Sequence, residues 1–130
     1  MATQSEQLRA RTKQFAIRIV RVFKNLPKSD EARIIGKQLL RAGTSVAANY
    51  RAVCRARSKA EFISKMGVVV EEADETVFWL ELLVETSIIP AARLRELLSE
   101  ANELLAIFAA SLWTARERRQ GQSSNDPVSQ

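Results

Sequence analysis

Proline stands at only three positions, Pro27, Pro90 and Pro127, and glycine at only four. No proline lies between Pro27 and Pro90, so nothing in that stretch removes a backbone donor or clashes with a preceding turn. One of each falls in the last ten residues. So few breakers leave room for long helices and little else.

The apolar residues fill that room with helical spacing. Leu8, Phe15, Ile19, Val22 and Leu26 share one seam that Thr12 completes, which predicts a first helix over residues 5–26, ended by Pro27. Ser29 caps a second helix, with Asp30 and Glu31 in its positive first turn. Its seam reads Ala32, Ile35, Leu39, Ala42, Val46, Asn49 and Val53. A third helix opens on the capping-box pattern Ser58-Lys59-Ala60-Glu61. Its seam is Ile63, Met66, Val70, Ala73, Val77, Leu80 and Val84, with Phe62, Val69 and Leu83 beside it and Trp79 and Leu82 round the far side. A helix this apolar is buried on more than one side, which points to a subunit interface. After the turn at Ile88-Ile89-Pro90, a fourth helix carries Leu94, Leu98, Ala101, Leu105, Phe108, Leu112 and Ala115. No strand-like alternation appears. Short joints between long helices predict an antiparallel up-and-down four-helix bundle over residues 1–120, with a disordered tail at 121–130.

Histidine is absent. That removes the usual general base near neutral pH, the commonest metal ligand and every Ser-His or Cys-His pairing, so no catalytic residue, metal or cofactor is expected. A single cysteine, Cys54, excludes an intrachain disulfide and suits a reducing compartment. No secretory leader is legible, and the longest uncharged stretch, 12 residues at 104–115, falls short of the ~20 a membrane span needs. A cytoplasmic protein with no membrane contact is expected.

The charge is unevenly spread. Residues 1–27 carry six basic and one acidic side chain, residues 28–57 seven and two, and residues 58–87 two and seven, for a net +5 overall. Two readings follow. Either Arg51, Arg55, Arg57 and Lys59, with a second row at Arg11, Arg18 and Arg21, neutralise nucleic-acid phosphates, or the basic helices pack against the acidic third one. Arg51, Arg55 and Lys59 share a face if the second helix continues through the junction.

Several residues bear structural readings. Asn49 is expected to be a buried amide that fixes helix register. Thr44 and Ser45 are expected to bond back to helix carbonyls. Gly36, Gly43 and Ala47 form a small-residue stripe that admits a close helix, from this chain or another. Glu71, Glu72 and Glu75 read as a solvated or ion-paired face, because di-iron bundles pair Glu with Glu-x-x-His. Cys54 reads as a small buried residue, and Trp79 and Trp113 as core or interface anchors.

The run Ser45-Val46-Ala47-Ala48-Asn49, then Ser58-Lys59-Ala60-Glu61-Phe62-Ile63, resembles the signature of the four-helix bundle proteins, also called the large-subunit ribosomal RNA intervening-sequence proteins. Glu71-Glu72-Ala73-Asp74-Glu75-Thr76 and Trp79-Leu80-Glu81-Leu82-Leu83 look like that family's third helix. The likeness covers about residues 10–117. One departure stands out: many members follow the Asn with Ile-Ala-Glu-Gly, where this chain has Tyr50-Arg51-Ala52-Val53. The resemblance implies a bundle assembled as a homopentameric ring, without enzymatic activity. It also implies kinship with a group that accompanies a reverse transcriptase and binds nucleic acid. Two functions are therefore carried forward, a nucleic-acid-binding accessory protein for RNA or DNA and a protein-interaction scaffold whose charges serve self-assembly. Gly43, Ala47, Asn49, Phe62, Trp79 and Leu82 are the expected structural or interface positions.

Overall fold

The first turn begins where Thr3 can cap it. In the computed structural model, which describes residues 1–124 and side chains through residue 121, Thr3 Oγ1 accepts the Glu6 N–H at 3.1 Å and the Glu6 carboxylate accepts the Thr3 N–H at 3.2 Å. This reciprocal box starts helix α1 (Gln4–Lys24) one residue earlier than the apolar spacing suggested. Helix α2 (Asp30–Val53) starts at Ser29, whose Oγ accepts the Ala32 N–H. Helix α3 (Lys59–Glu85) starts at Ser58, whose Oγ accepts the Glu61 N–H. The returning bond is displaced by one residue: Glu61 takes the N–H of Arg57, not that of Ser58. Helix α4 (Ala91–Ser124) follows the turn at residues 86–90 and runs past the expected end of the folded domain. The rest of the expected tail, residues 125–130, lies outside the described residues.

The α3–α4 turn is closed by main-chain bonds. Ile88 N–H reaches Leu83 O and Ser87 N–H reaches Val84 O, both at 3.0 Å, with Ser87 at φ 61°. This is a Schellman motif with serine where glycine is usual.

The described residues form an all-α fold of four helices with no strand. Each helix packs on the next in sequence, whereas α1 and α4 touch only sparingly. One core runs through all four, with Phe15, Ile19, Leu39, Leu80, Leu83, Leu94, Leu104 and Phe108 essentially closed to solvent. Burying a side chain of this size contributes about 1.5–3 kcal/mol. The two buried threonines are satisfied locally, Thr12 donating to Arg9 O and Thr76 to Glu72 O. Among the described residues no helix is long and apolar enough to cross a membrane.

Three expectations shift. In α4, Leu97 and Leu104 are buried, and Leu98 and Leu105 flank the core half-buried. In α3 the core row is Met66, Val69, Ala73, Val77, Leu80 and Leu83, with Ile63, Val70 and Val84 partly buried beside it. Asn49 is not a register-fixing core amide. The step from Val46 to Val53 passes through Tyr50, which is buried and tilts onto Phe108 with ring centroids 5.1 Å apart. Asn49 sits half-buried and donates to the Ser45 carbonyl one turn back.

Gly36 and Gly43 receive α1 of the same chain. A Cβ on Gly43 would lie 2.7 Å from Ile19 Cγ1, and one on Gly36 would collide with Leu26 Cδ1. Ala47 continues this stripe half-buried.

Candidate nucleic-acid interface

The basic residues sort by whether a carboxylate already holds them. Arg11 is held: its Nε and Nη2 donate to Glu100 at 2.8 and 2.6 Å, and Nη2 also reaches Glu103 at 3.0 Å. Bonding to Glu100 before all else holds its guanidinium proton more tightly than usual. Arg11 therefore ties α1 to α4 and is not a free member of a basic row. Its neighbours in that row differ too, with Arg18 half-buried and Arg21 exposed. Arg41, which the sequence reading passed over, bridges α2 to α3 by pairing with Glu72 at 3.2 Å and with Glu75. Bonding to Arg41, and then to the Trp79 indole N–H, keeps the Glu75 carboxyl below its ordinary range. Two of the three grouped glutamates are thus turned onto an arginine.

The α2–α3 junction is different. Arg51, Arg55, Arg57 and Lys59 are exposed, and none of the four side chains makes an ion pair among the described residues. The proposed common face for Arg51, Arg55 and Lys59 does not form, because α2 ends at Val53 and the chain reverses before Ser58 caps α3. Lys65 takes the third place instead. Arg51, Arg55 and Lys65 border a shallow depression of about 510 Å³ floored by Ala48 and Ala52. The floor is open because both floor residues end at Cβ, with Arg51 on the last turn of α2 and Arg55 just beyond it at the edge. Lys65 Nζ also reaches Glu61 at 2.9 Å. Lysine 65 was legible in the sequence only as an i+4 partner of Glu61; its approach to α2 needed the reversal.

Cys54 is exposed at the end of α2 rather than buried, since Tyr50 and Val53 take the inward places around it. Of the remaining structural positions, Phe62, Trp79 and Leu82 are half-buried. Phe78, on no predicted seam, is the more exposed aromatic of α3 and packs edge-on against Trp79 at 4.9 Å. Trp113 stands largely exposed on α4.

Residues 5–110 match the model of the family described as 23S rRNA-intervening sequence protein. No curated protein matches the chain. Among solved structures, a crystal structure of a protein with unknown function from the S23 ribosomal protein family of Bacteroides thetaiotaomicron is 32% identical, with a TM-score of 0.78. The alignment covers 85% of this chain and 98% of that one.

Proposed function

This chain belongs to the 23S rRNA-intervening sequence protein family, and from that premise we propose that it is a non-enzymatic, cytoplasmic accessory protein that binds nucleic acid through the α2–α3 junction. The observation that carries the reading is the group Arg51, Arg55, Arg57 and Lys59, four exposed cations without a carboxylate partner among the described residues, beside Lys65. Such a group attracts phosphate by counterion release and carries no base-reading geometry of its own. Affinity is therefore sensitive to salt and tolerant of sequence.

A second reading has its own observation. Phe78 and Trp79 on the outward side of α3 support a scaffold that self-assembles, its helices running up and down and its protomers closing a ring, the pentamer that the family resemblance implies. The two readings are compatible, since the junction and the middle of α3 are separate surfaces.

The test is fluorescence anisotropy of a structured RNA and a duplex DNA across a salt series. Binding that falls steeply with salt, and is lost on Arg51→Glu with Arg55→Glu, supports the nucleic-acid reading. No binding near physiological salt leaves the scaffold reading standing alone.

A further inference from the structure

Helix α3 turns a row of one sign outward. Glu71, Asp74, Phe78, Glu81 and Glu85 are exposed and follow one another at steps of three and four, so they fall on one stripe opposite the core row of Met66, Ala73 and Leu80. The four acids make no ion pair among the described residues, unlike Glu72 and Glu75 further round the helix. Glu71 with Asp74 and Glu81 with Glu85 are like charges at i, i+3 and i, i+4, which repel along a helix surface. Phe78, 52% exposed, stands between the two pairs.

Helix α1 turns a row of the opposite sign outward. Lys13, Ile17, Val20, Arg21 and Lys24 share the side away from Phe15 and Ile19, and its three cations are exposed and unpaired among the described residues. Val20 is exposed and Ile17 half-buried, so here too apolar groups stand between charges. The rows run about 21 Å along α3 and about 16 Å along α1, at 1.5 Å per residue. Because α1 and α3 each pack on α2 and α4, they occupy opposite corners, and the two outward rows cannot meet within one chain.

We infer that the α3 row docks on the α1 row of a second copy of this chain. Charge selects the occupant. An acidic row repels phosphate, so neither nucleic acid nor an anionic membrane covers it, and Phe78 calls for an apolar neighbour among the cations. Only α1 meets both demands along its length. On the outward row of α2, Arg41 is already held by Glu72 and Glu75, and Asp30 stands one turn before Ile34. The junction cations Arg55 and Arg57 lie past the end of α2, not along a helix. Each copy offers one row and receives on the other, so contacts repeat head to tail and close a ring where the rotation permits.

This pairing rests on the self-assembly reading and names the two faces that meet. Light scattering of the full-length protein tests it. Asp74→Lys with Glu81→Lys reverses the α3 row, and Lys13→Glu with Lys24→Glu reverses the α1 row. All four side chains are exposed, so helical circular dichroism should be unchanged. Each double variant should need on the order of a hundredfold more protein to assemble, because like charges then face each other. Complementarity returns when both reversals sit in one chain, and when the two reversed proteins are mixed in equal amounts. Both samples should regain a mass above 14.6 kDa. A wild-type mass of 14.6 kDa overturns the pairing together with self-assembly. A wild-type oligomer that survives either reversal, or reversed proteins that fail to recover in both combinations, overturns the pairing alone and assigns assembly to other faces.

Discussion

Arg11 on α1 holds Glu100 on α4 through two bonds, Nε–H to Oε2 at 2.8 Å and Nη2–H to Oε1 at 2.6 Å, across a seam where the two helices otherwise hardly meet. The pair is part-covered, with 33% of the Arg11 side chain and 18% of that of Glu100 exposed. Fork-on-fork geometry favours it, and solvent screening limits it to about 1 kcal/mol. Arg11→Met should lower the melting temperature by about 3–5 °C. A double-mutant cycle with Glu100→Gln should recover most of that loss as coupling, and a coupling near zero would show that the pair contributes nothing.

Two glycines predict opposite results from one substitution. Gly43→Ala puts a methyl 2.7 and 2.9 Å from the branched carbons of Ile19, which is fully buried and has no room to turn. Overpacking of about 1–3 kcal/mol should exceed the ~1 kcal/mol that alanine adds in helix propensity. Gly67→Ala on α3 meets nothing within 4 Å and should stabilise by up to about 1 kcal/mol. Urea unfolding of both variants checks the pair, and a stable Gly43→Ala protein would mean α1 slides freely over α2.

Ser87 offers a stabilising change that removes a side chain. With φ at 61° it occupies the left-handed position after the α3 cap, where a β-carbon costs about 1 kcal/mol. Ser87→Gly should raise stability by about 0.5–1 kcal/mol with the turn unchanged, provided relief of that strain exceeds the added freedom of the unfolded chain. Calorimetry showing a loss would mean the serine makes a compensating interaction.

These positions also show what was readable beforehand. Helix number and the caps at Ser29 and Ser58 were legible because Pro27, the cap residues and the apolar period act within one or two turns. Two of the seven α4 seam positions were misread, Leu98 and Leu105 standing where Leu97 and Leu104 are buried, because adjacent leucines satisfy either of two neighbouring stripes and only the position of α3 chooses between them. Asn49 was misplaced for a similar reason, Tyr50 lying one residue along and filling the larger space against Phe108. The partner of Arg11 was invisible in principle: Arg11 and Glu100 are 89 residues apart, and periodicity on one helix says nothing of which charge faces it across a seam.

Acid should dissolve the α2–α3 bridge in a defined direction. Glu75 is held below the usual 4.5 by its bond to Arg41, so it stabilises the fold above its unfolded range, and that contribution is lost as pH falls through the folded value. Arg41→Gln should therefore be less stable than the wild type at pH 7, by about 0.5 kcal/mol for so exposed a pair. The gap should close as pH falls below the ordinary carboxylate range and Glu75 takes up its proton. Thermal melts from pH 3 to 7 give the answer, and a gap constant with pH would assign the loss to packing instead of charge.

Phe78 decides between a scaffold and a lone protomer. It lies 52% exposed on the outward row of α3, edge-on to a half-buried Trp79, so its removal subtracts little from the core. If that face is where protomers meet, Phe78→Glu places a charge in the contact and should drive the assembly apart while the melting of the isolated fold stays within about 0.5 kcal/mol of the wild type. Ile34→Glu on α2, 65% exposed, is the control for loss of any surface apolar group. Light scattering at micromolar concentration should report a multiple of 14.6 kDa for the wild type and for Ile34→Glu, and 14.6 kDa for Phe78→Glu. A wild-type mass of 14.6 kDa would end the assembly reading, and an intact Phe78→Glu oligomer would move the contact to another face.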